Sequence, residues 1–277
     1  MRNRPGLTIL EPLLVISVIA VILGLMLGTI QRLRVAAKRA ELTNNMRQLS
    51  LSVLTIESNR NRLPNQFDRT EGSTLPFLIL VNMGMSFESI DIRMNLSQFT
   101  SPLDPSYAYY PRPGKEWPGN CSFGFNHLVF DKLTSITTIT DGTSNTLMCS
   151  ERYARCGPLA NVSWGVALWM KLDANGNVTP NTNYDIRTAT FCDRYYDDIL
   201  PVYNTARRTS LGSIPGLTFQ SAPSPDVCDP RILQASTTSG LVVAMMDGSV
   251  RTISPAVDPA VYWSSMTPDK GEVVNLD

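Results

Sequence analysis

The chain has 277 residues, 43% hydrophobic and 17% charged, which suits a packed core and excludes wholesale disorder. Lys and Arg number 24, as do Asp and Glu; losing the first six residues, with Arg2 and Arg4, would leave 22 against 24. A neutral to mildly acidic chain carries no global field for nucleic acid, so no nucleic-acid partner is expected.

The first element lies in "RPGLTILEPLLVISVIAVILGLMLGTI", residues 4–30, where residues 13–30 are eighteen consecutive positions without a formal charge. As a helix they span roughly 27 Å, close to the thickness of a bilayer core. Three readings compete. A cleaved secretory signal is disfavoured by Glu11 and Pro12 at the entry and by the basic exit "QRLRVAAKRA". An uncleaved anchor fits the length but leaves Glu11 without a role, although a carboxylate within a bilayer costs on the order of 3 kcal/mol. Snorkelling of Glu11 to the headgroups is the plainest account of it.

The third reading uses every feature. "RPGLTILE" resembles the processing site of type IV prepilins and pseudopilins: a short basic leader, a glycine, a hydrophobic residue, and a glutamate as fifth residue of the mature chain. The resemblance implies that a prepilin peptidase/methylase cuts between Gly6 and Leu7 and methylates the new amine. It also implies that Glu11 pairs with the ammonium of a neighbouring subunit, a cation that makes an intramembrane carboxylate tolerable. Pro12 and Leu7 depart from the usual Leu and Phe. A proline in the first helical turn removes little, since N–H groups there lack partners anyway.

The helix is expected to continue. Leu42, Met46, Leu49, Val53 and Ile56 recur at spacings of 4, 3, 4 and 3, one apolar stripe with Arg47, Gln48 and Glu57 elsewhere. The segment 60–64, "RNRLP", ends it. The basic cluster Arg32, Arg34, Lys38 and Arg39 outnumbers Arg2 and Arg4, and a naive positive-inside count places the C-terminal side in the cytoplasm. Prepilin processing implies the reverse orientation.

Beyond Pro64, short apolar runs, turn pairs and many of the chain's nineteen prolines predict β structure with long loops. Residues 135–152, "SITTITDGTSNTLMCSER", place Asp141-Gly142 between two short strands, with Asp, Thr and Ser able to bond back to turn backbone. Residues 164–180 read as a hairpin turning at Asn175-Gly176. Asp173, Asn175 and Asn177 lie at alternate positions, but Val178 and Tyr184 stand where an EF-hand needs Gly and Glu, so a plain turn is preferred. Residues 239–254 read as a second hairpin whose Asp247-Gly248 pair can adopt positive φ.

Asp141, Gly142, Thr143, Ser144 and Asn145, in "ITDGTSNTL", and Asp247 and Gly248, in "DGSVRTI", extend the resemblance. Together with the stem they are similar to the bacterial prepilin-like family with an N-terminal cleavage/methylation motif and a C-terminal His-x9-Asp-Gly signature, whose globular domain has no known function. Thr237 stands where that signature has His, which puts any metal-ligating role of the family histidine in doubt.

Neither zinc-type cysteine spacing nor a G-x-S-x-G, H-E-x-x-H, P-loop or dinucleotide motif occurs. Cys121, Cys149, Cys156, Cys192 and Cys228 allow up to two disulfides outside the cytoplasm, or buried free thiols. His127, the sole histidine, falls in "NHLVF", which alternates like a strand and suggests a satisfied structural residue. Carboxylates such as Glu151 or Asp197-Asp198 are not singled out. No catalytic residue, cofactor, metal or small-molecule substrate is expected.

The predicted class is α+β and pilin-like: a leader at 1–6, a transmembrane stem at 7–30, its amphipathic continuation at 31–60, and an antiparallel β-rich globular domain with long loops at 61–277, on which the long helix packs. The expected role is a membrane-anchored, type II secretion pseudopilin-like component that contacts other pilin-like subunits, its N-terminus cytoplasmic and its domain outside. The alternative is a single-pass anchored envelope protein whose domain binds a glycan, peptide or ion.

Overall fold

A computed structural model describes residues 10–68, 73–90, 96–107, 119–131, 133–156, 160–163, 171–172, 178–179, 186–192, 218–229 and 232–271. One helix, α1 (Leu10–Arg60), dominates it. Its first half is apolar and exposed on all sides, Leu13 through Ile30, and is long and apolar enough to cross a membrane. Ser17 Oγ donates to the Leu14 carbonyl at 2.7 Å and Thr29 Oγ1 to the Leu25 carbonyl at 3.3 Å. The two hydroxyls within the apolar half are thus satisfied by their own helix, as a lipid environment demands. The helix continues through Pro12 and ends where Asn61 takes the left-handed conformation (φ 51°), a common helix terminator.

The second half of α1 buries the predicted stripe: Leu42, Met46, Leu49 and Val53 are fully buried and Ile56 nearly so. Each such side chain contributes about 1.5–3 kcal/mol on leaving water. A short helix, α2 (Leu75–Asn82), lies against the same half, with Asn82 Nδ2 donating to the Ser52 carbonyl at 3.3 Å.

The stripe packs on a five-stranded sheet. Its strands are β1 (Phe123–Asn126), β2 (Leu147–Glu151), β3 (Thr190–Phe191), β4 (Leu241–Met245) and β5 (Val250–Ile253), in the order β3-β1-β2-β4-β5. All neighbours are antiparallel except β3 with β1. Phe123, Phe125, Cys149, Val242 and Ala244 join the stem's core. Leu147, Leu241, Val243, Met245 and Ile253 join a second core with Tyr262 and Met266. The sheet is therefore covered on both faces, which is why β4 reads as an unbroken apolar run and every residue of β2 and β4 is buried without alternation. The second cover includes α4 (Pro259–Ser264), after α3 (His127–Phe130). Asp258 starts α4 by accepting from Ala260 N and Val261 N at 2.8 and 3.2 Å, ahead of Pro259 in the first turn.

Smaller pairs lie at 155–156 with 160–161, 161–163 with 186–188, 171–172 with 178–179, and 220–221 with 234–235. The architecture is thus α+β, with a mostly antiparallel sheet. Lys171 and Leu172 pair antiparallel with Thr179 and Val178, as a hairpin requires. Its turn, with Asp173, Asn175, Gly176 and Asn177, lies outside the described residues, as do Tyr184, Asp197 and Asp198.

Three local expectations are corrected. His127 opens a helical turn, not a strand: Asn126 Oδ1 accepts from Leu128 N at 3.0 Å and turns the chain. Asn126 is held there because its Nδ2 donates to the Leu147 and Met266 carbonyls at 2.9 and 2.8 Å. Nor is the histidine fully satisfied: Nε2 lies 3.5 Å from Asp131 Oδ2, while buried Nδ1 has no partner among the described residues. Asp141-Gly142 follows a 3-10 turn (Ile136–Thr138), not a strand. In the Asp247-Gly248 turn only Gly248 has positive φ.

Candidate functional site, a junction of two motif turns

Gly142 (φ +92°) reverses the chain, and the turn closes on itself: Asn145 N donates to the Gly142 carbonyl at 3.0 Å and Asn145 Nδ2 to the Asp141 carbonyl at 2.9 Å. Thr146 Oγ1 donates to the Gly142 carbonyl at 3.1 Å. Asp141 itself is buried, and its carboxylate accepts from the backbone N–H groups of Lys270 and Gly271. A side chain of the first motif thereby clips down a segment near the end of the chain.

The second motif sits directly against the first. Gly248 N donates to the Met245 carbonyl and Met245 N to the Ser249 carbonyl, both at 2.9 Å, and the single positive φ at Gly248 (+84°) completes a three-residue hairpin loop. Asp247 Oδ1 accepts from Ser249 N at 2.8 Å. From this turn Met246 N donates to the Thr146 carbonyl at 2.9 Å and Asp247 N to the Thr143 carbonyl at 3.1 Å. Gly248 also faces α1, since a Cβ there would lie 3.1 Å from Leu54 Cδ1. Thr143 and Ser144 are half-buried in the first turn, with Thr143 contributing its carbonyl. Gly6 and Leu7 lie outside the described residues; Glu11 is part of α1.

A second polar centre was not singled out in the sequence. Glu151, at the end of β2, is buried; its Oε1 accepts from Val242 N at 2.8 Å and its Oε2 from Ser236 N at 3.2 Å. Thr237, at the place of the signature histidine, is the next residue in this loop. Burial pushes the Glu151 carboxyl up to about 7, against the pull of these N–H groups and of the Arg39 charge. Arg39 reaches from the stem and donates through Nη2 to Thr252 Oγ1 at 3.2 Å, tying α1 to β5. The one available signal was a Glu-Arg pair at the end of "LMCS".

Asp104 is a third buried carboxylate, accepting from Ser106 N, Ser106 Oγ, Ser122 Oγ and Ala154 N at 2.6–2.8 Å. Burial raises it, and these donors oppose the rise. Cys156 and Cys228 form a disulfide across 72 residues, while Cys121, Cys149 and Cys192 are buried thiols outside that disulfide. Burial pushes Cys121 and Cys149 up to about 12, so both remain protonated. No cluster of three or more His, Cys, Asp or Glu suited to a metal occurs among the described residues. Most hydrogen bonds of the motif residues go to backbone, Thr140 Oγ1 donating to Asp141 Oδ1 at 3.2 Å being a side-chain exception, and the arrangement can hold turns, stem and chain end in register.

A family model described as "Protein of unknown function (DUF1559)" matches residues 92–260, a span that contains both motif turns. No curated protein and no solved structure matches the chain.

Proposed function

The chain belongs to the DUF1559 family, and from that premise we propose that it is a membrane-anchored, pilin-like structural component of a secretion or pilus-type assembly. One observation carries the reading: a single unbroken helix is bare and apolar over residues 13–30 and packed into the core of the domain over residues 42–56. Such a helix both anchors and orients the domain, because no flexible linker separates the two halves. The "RPGLTILE" motif at its head supports cleavage between Gly6 and Leu7 by a prepilin peptidase. Glu11 then pairs with the Leu7 ammonium of a neighbouring subunit, a charge satisfied only after assembly. The leader is cytoplasmic and the domain extracytoplasmic, where a Cys156–Cys228 disulfide persists.

The motif turns are structural in this reading, and the chain has no catalytic role. Cross-linking of the native membrane tests it. The full chain should be recovered in oligomers, and Glu11→Gln should deplete them without depleting the membrane-bound monomer. Unchanged oligomers in Glu11→Gln would contradict the pairing. A monomer whose domain captures a glycan or peptide would replace the reading with an anchored binding protein.

A further inference from the structure

Between Ile30 and Leu42, the first fully buried residue of the stem, α1 rises about 18 Å with almost no cover from the domain. This neck carries Arg32, Arg34 and Lys38, all exposed; its one carboxylate is the exposed Glu41 at the upper end beside Leu42, and no Asp or Glu occurs between Pro12 and Ala40. Arg39, half-buried, is already engaged with Thr252. Three cations therefore stand together where the apolar helix ends. Their position opposes the positive-inside tendency if the domain is extracytoplasmic, so they call for a compensating interaction.

Their placement around the helix is informative. At about 100° per residue, Arg32, Arg34, Lys38 and Arg39 fall within a sector of roughly 160° centred on the buried stripe of Leu42, Met46, Leu49, Val53 and Ile56. Leu33, Ala36, Ala37 and Ala40 occupy the opposite side. The cations thus lie below the domain, between it and the membrane plane, while the other side of the neck carries no cation and has Glu41 only at its upper end. Arg32 and Arg34 rise only about 3 and 6 Å beyond Ile30, within the headgroup layer, and Lys38 can reach down to it along its own stem.

We propose that Arg32, Arg34 and Lys38 form a binding site for the phosphate headgroups of anionic phospholipid, seated beneath the overhanging domain. Basic residues at a membrane surface attract anionic lipid, and guanidinium groups match phosphate in a forked geometry. The lipid neutralises the three cations on whichever side of the membrane the domain stands. The proposal rests on the membrane-anchored reading of the stem and not on assembly.

The test uses the full chain purified from membranes. Native mass spectrometry compares retention of phosphatidylglycerol and phosphatidylcholine with matched acyl chains, for the wild type and for Arg32→Gln/Arg34→Gln/Lys38→Gln. Phosphatidylglycerol should be retained preferentially, and the variant should lose that preference by roughly tenfold or more. Excess inorganic phosphate should not displace the lipid. Equal retention of the two lipids, a preference kept by the variant, or displacement by phosphate would each overturn the site. An unchanged melting curve shows that the variant folds, as exposed neck residues predict. Reconstitution into phosphatidylcholine vesicles separates the two levels: extraction by carbonate sinks the anchor itself, whereas a firmly inserted chain without lipid preference sinks only the headgroup site.

Discussion

The backbone N–H of Asp247 donates to the carbonyl of Thr143 at 3.1 Å, so the two motif turns form one junction although a hundred residues separate them. Beside it, Gly248 rests on Leu54 of the stem and Asp141 holds the segment at Lys270 and Gly271. Residues that look like a site in sequence thus join the helix, the sheet and the chain end.

Asp141→Ala should destabilise the domain by about 1–3 kcal/mol, because two backbone N–H groups lose their acceptor. Asp141→Asn keeps one acceptor oxygen and should cost less. Urea denaturation of the full chain in detergent measures both, and limited proteolysis should show the end of the chain released in the alanine variant. Equal stability of all three proteins would remove Asp141 from the junction.

Glycines near the hairpin should rank in a fixed order. Gly248→Ala forces a side chain to φ +84° and crowds Leu54, at a cost of about 1–2 kcal/mol. Gly240→Ala would place a Cβ 2.3 Å from the Ile253 carbonyl oxygen at φ +122°, so it should prevent stable folding. Adding Leu54→Ala should relieve the crowding part of the Gly248→Ala defect, visible as coupling in a double-mutant cycle. The reverse ranking would contradict the geometry.

Glu151 makes stability depend on pH. Its folded-state value is raised from 4.5 to about 7, so the contribution is fully present below pH 4.5 and is lost as pH rises through 7. The span is on the order of 3 kcal/mol. Glu151→Gln mimics the protonated form and should flatten the stability profile between those limits. Unfolding curves across this range check the sign; a wild type that gains stability through this window because of Glu151 would contradict it.

The stem should show a facing asymmetry. Leu49 is fully buried and Leu51 is 60% exposed two residues on. Leu49→Ala should cost about 2–5 kcal/mol and Leu51→Ala less than about 0.5. Thermal melts of the full chain decide it, and similar losses would place the helix in the wrong rotation.

Thiol counting checks the cysteine assignment. Unfolded but unreduced protein should react at three thiols, Cys121, Cys149 and Cys192, and at five after reduction. Cys156→Ser with Cys228→Ser should cost about 2–4 kcal/mol. Five reactive thiols before reduction would show that the bond does not form.

The stem was legible because one helical face packs on a sheet, and that leaves a 3.6-residue period in Leu42, Met46, Leu49, Val53 and Ile56. The closing hairpin was legible through its Asp-Gly turn. The central strands were harder, since burial on both faces erases the alternation that marks a strand. The strand reading of "NHLVF" failed because a cap from Asn126, itself held by carbonyls of Leu147 and Met266, outweighs local pattern. Glu151 and Asp141 could not be ranked above other carboxylates because their partners, Val242 and Lys270 among them, are remote in sequence.

The most direct measurement is the mass of the mature N-terminal peptide from protein in its native membrane. A chain beginning at Leu7 with a methylated amine is the predicted result, and it would place the protein on the prepilin pathway with Glu11 at the fifth position. A chain that keeps its first six residues would contradict the account and return Glu11 to a tolerated acid at the end of an ordinary anchor.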